Sequence, residues 1–175
     1  MMRKVMAIKK KLAPTARQYW LFKSEPQAFS IDDLAREPKR MTFWDGVRNY
    51  QARNLLRDTI QLGDRVLFYH SNAEPMAIVG TAEVVRTGYP DHTAFDPEDH
   101  HYDPKSKPDQ PTWYMVDIKL LQVFPTPVTR DDLKACAALN DMMLLRRGAR
   151  LSIQPVTAAE WRAVHQLAGV KDQPT

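Results

Sequence analysis

Three runs rich in β-branched and aromatic residues follow one another in the middle of the chain: RVLFYHS at 65–71, MAIVGTAEVVRTG at 76–88 and TWYMVDIKLLQVF at 112–124. Runs of this kind, bounded by turn residues, read as strands. No helical pattern separates them. Strands in succession, without a repeating βα unit, argue for a mostly antiparallel sheet rather than a doubly wound parallel one. Pro75 lies in the short loop between the first two, which suits a hairpin.

The flanks add an earlier strand, YWLFKS at 19–24, and a short one, RMTFW at 40–44. Helix starts are marked by capping pairs: Ser30 with Asp33, Thr129 with Asp132, and Thr157 with Glu160. A helix over 49–60 follows from Ala52, Leu55, Leu56 and Thr59, which share one face. Asn49, Arg53 and Arg57 form a second, outward stripe. RLSIQP at 150–155 reads as a brief late strand that sets Arg150 and Ser152 on one face. Between the second and third central strands lies YPDHTAFDPEDHHYDPKSKPDQP at 89–111, whose five prolines argue against regular structure. The expected fold is α+β, a curved, mostly antiparallel, barrel-like sheet flanked by short helices.

A length of 175 residues with 43% hydrophobic composition fits one domain with a real core. Domain limits are expected at 19–170, with a basic N-terminal tail over 1–18 and a short C-terminal tail over 171–175. The N-terminal tail holds six Lys and Arg residues and no acid. Removing those six charges from the formal +4 leaves −2, so a polyanion site on the body must be a local patch. Val5, Ile8 and Leu12 share a helical face, as in a weak transit peptide, but a disordered basic arm is the preferred reading. No apolar run reaches the ~20 residues needed to span a bilayer. A cytoplasmic location is the default, nuclear or organellar in a eukaryote. The single cysteine, Cys136, excludes an internal disulfide and a cysteine zinc site, and its alanine neighbours suggest an inert buried thiol.

Signatures of catalysis are scarce. The six glycines form neither a dinucleotide-binding nor a phosphate-binding loop. His70 and Ser71 are adjacent on a strand and point to opposite faces, so they do not form a base and nucleophile pair. His92, His100 and His101 lie among aspartates in the proline-rich segment without a fixed ligand spacing. A solvated, turn-rich loop is the reading there, with no metal and no cofactor. The four tryptophans are more informative. Trp20 and Trp161 fit core positions. Trp44 ends a strand just before Asp45-Gly46, and Trp113 opens the long strand. Two rings at strand ends can hold a flat group between them.

Taken together, YWLFKSEP, FWDGVRNYQARN, VLFYHSN, the loop YPDHTAF followed by HYDP, WYMVDI and RLSIQPVT resemble the EVE domain family over about 19–169. The similarity extends to the thymocyte nuclear protein 1 group within it and, distantly, to YTH domains, which read methylated adenine. The resemblance implies a PUA-like fold and recognition of modified bases, modified cytosines in DNA among them. It matches Trp44 to a cage tryptophan, Arg150 to a basic residue near the nucleic-acid backbone, and Trp113 more loosely to the region before the long strand.

The function expected is a non-catalytic, monomeric reader of nucleic acid, DNA or RNA, carrying a modified base. The base would stack on Trp44, with Trp113 or Tyr69 as the opposing ring. Lys23, Ser24, Asp45, Asn49 and Ser152 would meet its edge, with Val47, His70 and Ser71 completing the pocket. Arg48, Arg53, Arg150 and the tail would meet phosphates. Two other classes fit less well: an enzyme acting on modified nucleobases through Glu25, Asp45 or His70, and a protein-interaction module.

Overall fold

In the computed structural model, residues 16–174 are described. The transit-like face of Val5, Ile8 and Leu12, and most of the basic tail, lie outside them. Gln18, the last residue assigned to that tail, is held by the fold: its amide N–H donates to Asp64 at 3.0 Å and its side chain to the Thr59 carbonyl at 3.0 Å.

Six strands form one sheet: β1 (Tyr19–Ser24), β2 (Met41–Phe43), β3 (Arg65–His70), β4 (Ala77–Pro90), β5 (Tyr114–Thr129) and β6 (Ile153–Val156). Their spatial order is β2-β5-β4-β3-β1-β6. All pairs are antiparallel except β1 with β3, which is parallel because α1 (Ile31–Arg36), β2 and α2 (Tyr50–Asn54) intervene as the crossover. The sheet is curved but not closed. Register shifts between β3 and β4 and at four places between β4 and β5 bend it. Pro125 and Pro127 fall in one such irregular stretch, so β5 runs through them to Thr129.

The central strands are buried on both faces, as period-two alternation requires. Trp20, Phe22, Val66 and Phe68 join one core, with Ile31 and Leu34 of α1 and Leu56 behind α2. Leu21, Leu67 and Tyr69 join the other, with Trp161 and Val164 of α4 (Ala158–Ala168). Leu34 and Leu56 are fully buried, so truncating either to alanine costs about 2–5 kcal/mol. All three capping boxes form, on α1, on α3 (Arg130–Ala135) and on α4. Helix α2 is capped by Asn49 and widens into a π turn over Leu55–Thr59. Cys136, expected to be buried, ends α3 and is only half-buried. No described helix is long and apolar enough to cross a membrane.

The proline-rich segment is an excursion from the β4–β5 ladder. Pro90 pairs with Tyr114, and the Asp91 N–H donates to the Trp113 carbonyl at 2.9 Å, closing its base. β5 therefore begins at Tyr114, and Trp113 belongs to the excursion rather than to the strand.

Candidate nucleic-acid interface

Between the exits of β1 and β2, strands separated by three others in the curved sheet, the chain leaves a cavity of about 760 Å³. That lies within the ~300–1,000 Å³ of small-molecule sites. Its first wall is the exit of β1, Lys23 to Glu25, and the turn that follows to Phe29. The Ser24 hydroxyl donates to the Phe29 carbonyl at 2.5 Å, and the Ala28 and Phe29 N–H groups donate to the Glu25 carbonyl, each at 2.9 Å. The second wall is Thr42 to Arg48. The Trp44 N–H donates to the Val116 carbonyl at 2.7 Å, extending the β2 ladder by one residue before the chain turns away. Glu37, Ser152 and, from the excursion, His100 and His101 complete the lining.

Trp44 is 8% exposed, yet it lines this cavity. Edge contacts with Phe29 (6.5 Å between centroids) and Phe68 (5.4 Å), and a tilted contact with Phe22 (5.3 Å), fix its plane. Three tryptophans donate their indole N–H to a carboxylate: Trp20 to Asp64, Trp113 to Asp103 and Trp161 to Asp172. Among the described residues Trp44 has no such partner.

The turn after Trp44 depends on Gly46, whose φ of +74° favours glycine. A Cβ there would collide with the His101 ring. The Gly46 N–H donates to buried Asp91 at 2.9 Å, and Arg48 Nη1 donates to the same carboxylate at 2.8 Å. Burial alone would push the Asp91 carboxyl up. Bonds from Thr93, Arg48 and Gly46 outweigh it and hold the group below its ordinary value. His101 Nδ1 lies 3.2 Å from Asp45 Oδ2 and 3.5 Å from Asp99 Oδ1. It is in hydrogen-bonding line with neither. Asp99, His100 and His101, for which the sequence showed no ligand spacing, place donor atoms within 4.8 Å of one another.

Of the residues expected from sequence, Lys23, Ser24, Trp44, Asp45, Val47 and Ser152 are brought together here, and Arg48 joins them as a wall residue. The others lie elsewhere. Asn49 accepts the Ala52 N–H as the α2 cap. Tyr69 packs into the core on the opposite face of the sheet, where burial pushes its phenol up. His70 Nε2 accepts the Ile31 N–H at 3.1 Å, and burial lowers its pKa, which favours this neutral acceptor form. Ser71 extends the β1–β3 ladder through its N–H to the Ser24 carbonyl. Trp113 stacks on Tyr50 at 5.0 Å with Arg48 above it, and does not oppose Trp44. Arg53 donates to the Thr112 carbonyl at 2.6 Å and lies over Tyr50. Arg150 and Ser152 precede β6 rather than sharing a strand face, and Arg150 is exposed outside the cavity.

Sequence reasoning missed Ala28, Phe29, Phe43 and His101 as lining residues. Phe29 directly precedes the Ser30 cap, where an apolar residue reads as a staple onto its own helix. His101 carried only the signature of a polar loop.

A family profile described as the EVE domain matches residues 18–167. The chain is 43% identical over 166 residues to thymocyte nuclear protein 1 of Homo sapiens, covering 85% of this chain and 73% of that protein. Over 160 residues it is 44% identical to the Rattus norvegicus protein, covering 82% and 70%. Among solved structures, it resembles a hypothetical protein from Leishmania major with a TM-score of 0.83, at 44% identity over 88% of this chain and 96% of that one. Human THYN1, in complex with DNA containing 5-methylcytosine, gives a TM-score of 0.80 at 41% identity, over 90% and 99%. With this profile covering nearly all of the described residues, and relatives this similar over most of their length, the chain belongs to the EVE domain family.

Proposed function

We propose that this protein is a non-catalytic reader of DNA that holds one modified base, 5-methylcytosine or a close analogue, in the cavity beside Trp44. The observation that carries the reading is the state of that indole. It is clamped by aromatic edges, bounds the cavity, and keeps its N–H free of the carboxylate partner that the other three tryptophans have. A base stacked on such a ring gains ~1–3 kcal/mol. Extracting it from a duplex costs a few kcal/mol, so contacts at the base edge contribute as well. Asp45 suits an exocyclic amine as acceptor, and Lys23 and Ser24 suit carbonyl or ring acceptors. Human THYN1 bound to 5-methylcytosine DNA supports the substrate class, and the relatives' name, thymocyte nuclear protein, supports a nuclear location where the cell has a nucleus.

Phe29 and Phe43, rather than Trp113, share the cavity with Trp44. The base therefore sits in an apolar corner rather than between two indoles. Affinity for oligonucleotides carrying one central 5-methylcytosine, cytosine, 6-methyladenine or adenine, as DNA and as RNA, tests the reading. Preference for a modified base is the result expected; equal affinity for all of them would refute it.

A further inference from the structure

The cavity's own arginine, Arg48, and the neighbouring Arg53 are engaged within the protein, one by the Asp91 carboxylate and the other by a backbone carbonyl. Asp91 already neutralises the Arg48 charge, and Arg53 is only half-exposed and lies over Tyr50. A different set of cations stands free on the opposite side. Residues 146–150, RRGAR, form an exposed turn between a single helical turn at Met143–Leu145 and the Ser152 wall of the cavity. Arg146, Arg147 and Arg150 are all exposed there, and Gly148 takes a φ of +77° that lets the turn project. None of the three has an ion-pair partner among the described residues, whereas Arg36, Arg48 and Arg57 each have a carboxylate. Arg146 reaches only the Asp141 backbone carbonyl, at 3.1 Å.

Two further cations hold this turn and the helical turn before it. Arg130 Nη1 donates to the Leu144 carbonyl at 2.9 Å, and Lys23 Nζ donates to the Ala149 carbonyl at 3.2 Å. Burial first, and the nearby Arg130 charge second, lower the Lys23 pKa. The Lys23 ammonium is thus disfavoured where it stands, and an anion placed beside it would relieve that cost. Lys23 also lines the cavity, so the cation set is continuous with the base site.

We propose that the 146–150 turn, with Lys23 and Arg130 at its base, is the phosphate track for the strand whose base enters the cavity. The proposal rests on the reader function above. It assigns Arg146 and Arg147, which carry no role otherwise, to the sugar-phosphate backbone, alongside Arg150. Each phosphate neutralised releases condensed counterions, so the track sets the salt dependence of binding and not the base preference.

The test measures affinity for a single-stranded DNA with one central 5-methylcytosine, and for its unmodified counterpart, at several salt concentrations. The wild type is compared with the triple variant Arg146→Ala/Arg147→Ala/Arg150→Ala. A second triple variant, Arg57→Ala/Arg162→Ala/Lys171→Ala, changes net charge equally at distant exposed positions. The track variant should lower the slope of log affinity against log salt by about 2, from ~0.7 per lost contact, with the modified-to-unmodified ratio retained. An unchanged slope, or an equal fall in the distant variant, overturns the track. Wild-type binding without base preference would refute the reader function and leave the slope comparison to judge the track, whereas no binding at all would overturn both.

Discussion

Arg48 places its Nη1 2.8 Å from the fully buried carboxylate of Asp91, across 43 residues of sequence. This contact joins the cavity's second wall to the proline-rich excursion, because Asp91 also receives the Gly46 and Thr93 N–H groups. Removing Arg48 leaves a buried carboxylate without its cation. Arg48→Ala is expected to cost about 3 kcal/mol, at the lower end for a broken buried pair because the arginine is partly exposed. At this chain length that is a fall of roughly 6–12 °C in melting temperature. Thermal unfolding checks it, and a change of under a degree would contradict the anchoring role.

The same carboxylate sets an acid limit on stability. Its folded pKa is depressed below the ordinary value near 3.8, so its contribution is complete above that value and is lost as pH falls through the folded pKa. Urea midpoints from about pH 7 down to about pH 2 should fall below about pH 4. In Asp91→Asn the midpoint should start lower and fall less steeply. Superimposable acid limbs would remove Asp91 from this role.

Gly46→Ala combines a left-handed backbone with a collision against His101. The conformational part costs ~1–2 kcal/mol. The steric part should vanish once the ring is gone. In a double-mutant cycle, Gly46→Ala should therefore be less costly in a His101→Ala background than in the wild type. Strictly additive stabilities would show that the ring does not pack on this turn.

Trp113 offers a check on which ring holds the base. Trp113→Phe loses the bond from Nε1 to Asp103 at 2.7 Å, a cost of about 1 kcal/mol. Preference between modified and unmodified DNA should be unchanged. Loss of preference would return Trp113 to the site.

Features set by near neighbours were legible in the sequence. The capping pairs at Ser30, Thr129 and Thr157 act over three residues, and all three formed. The strand runs and the position of Trp44 at a strand exit were equally local. Features decided by distant partners were not. Nothing in YWLFKS shows that β1 pairs parallel with β3, because that depends on a crossover of some 40 residues. Trp113 reads as a strand residue, but the ladder starts one residue later and Asp103 pulls the indole back into the excursion. Arg48 and Arg53 look like free cations until Asp91 and the Thr112 carbonyl engage them. His70 and Asn49 look like ligands until their lone pairs are matched to the N–H groups of Ile31 and Ala52.

The Trp44 face is the surface proposed to carry the base. Because this indole is also core, an alanine there would open a cavity and confound binding with unfolding, at about 3–5 kcal/mol. Trp44→Leu removes the π face while filling much of the volume. The decisive measurement is the ratio of affinities for 5-methylcytosine and cytosine DNA, in the wild type and in Trp44→Leu at a temperature where both are folded. The expected result is a clear wild-type preference, with affinity for the modified strand weakened by ~1–3 kcal/mol in the variant. Undiminished affinity and preference in a folded Trp44→Leu would contradict it.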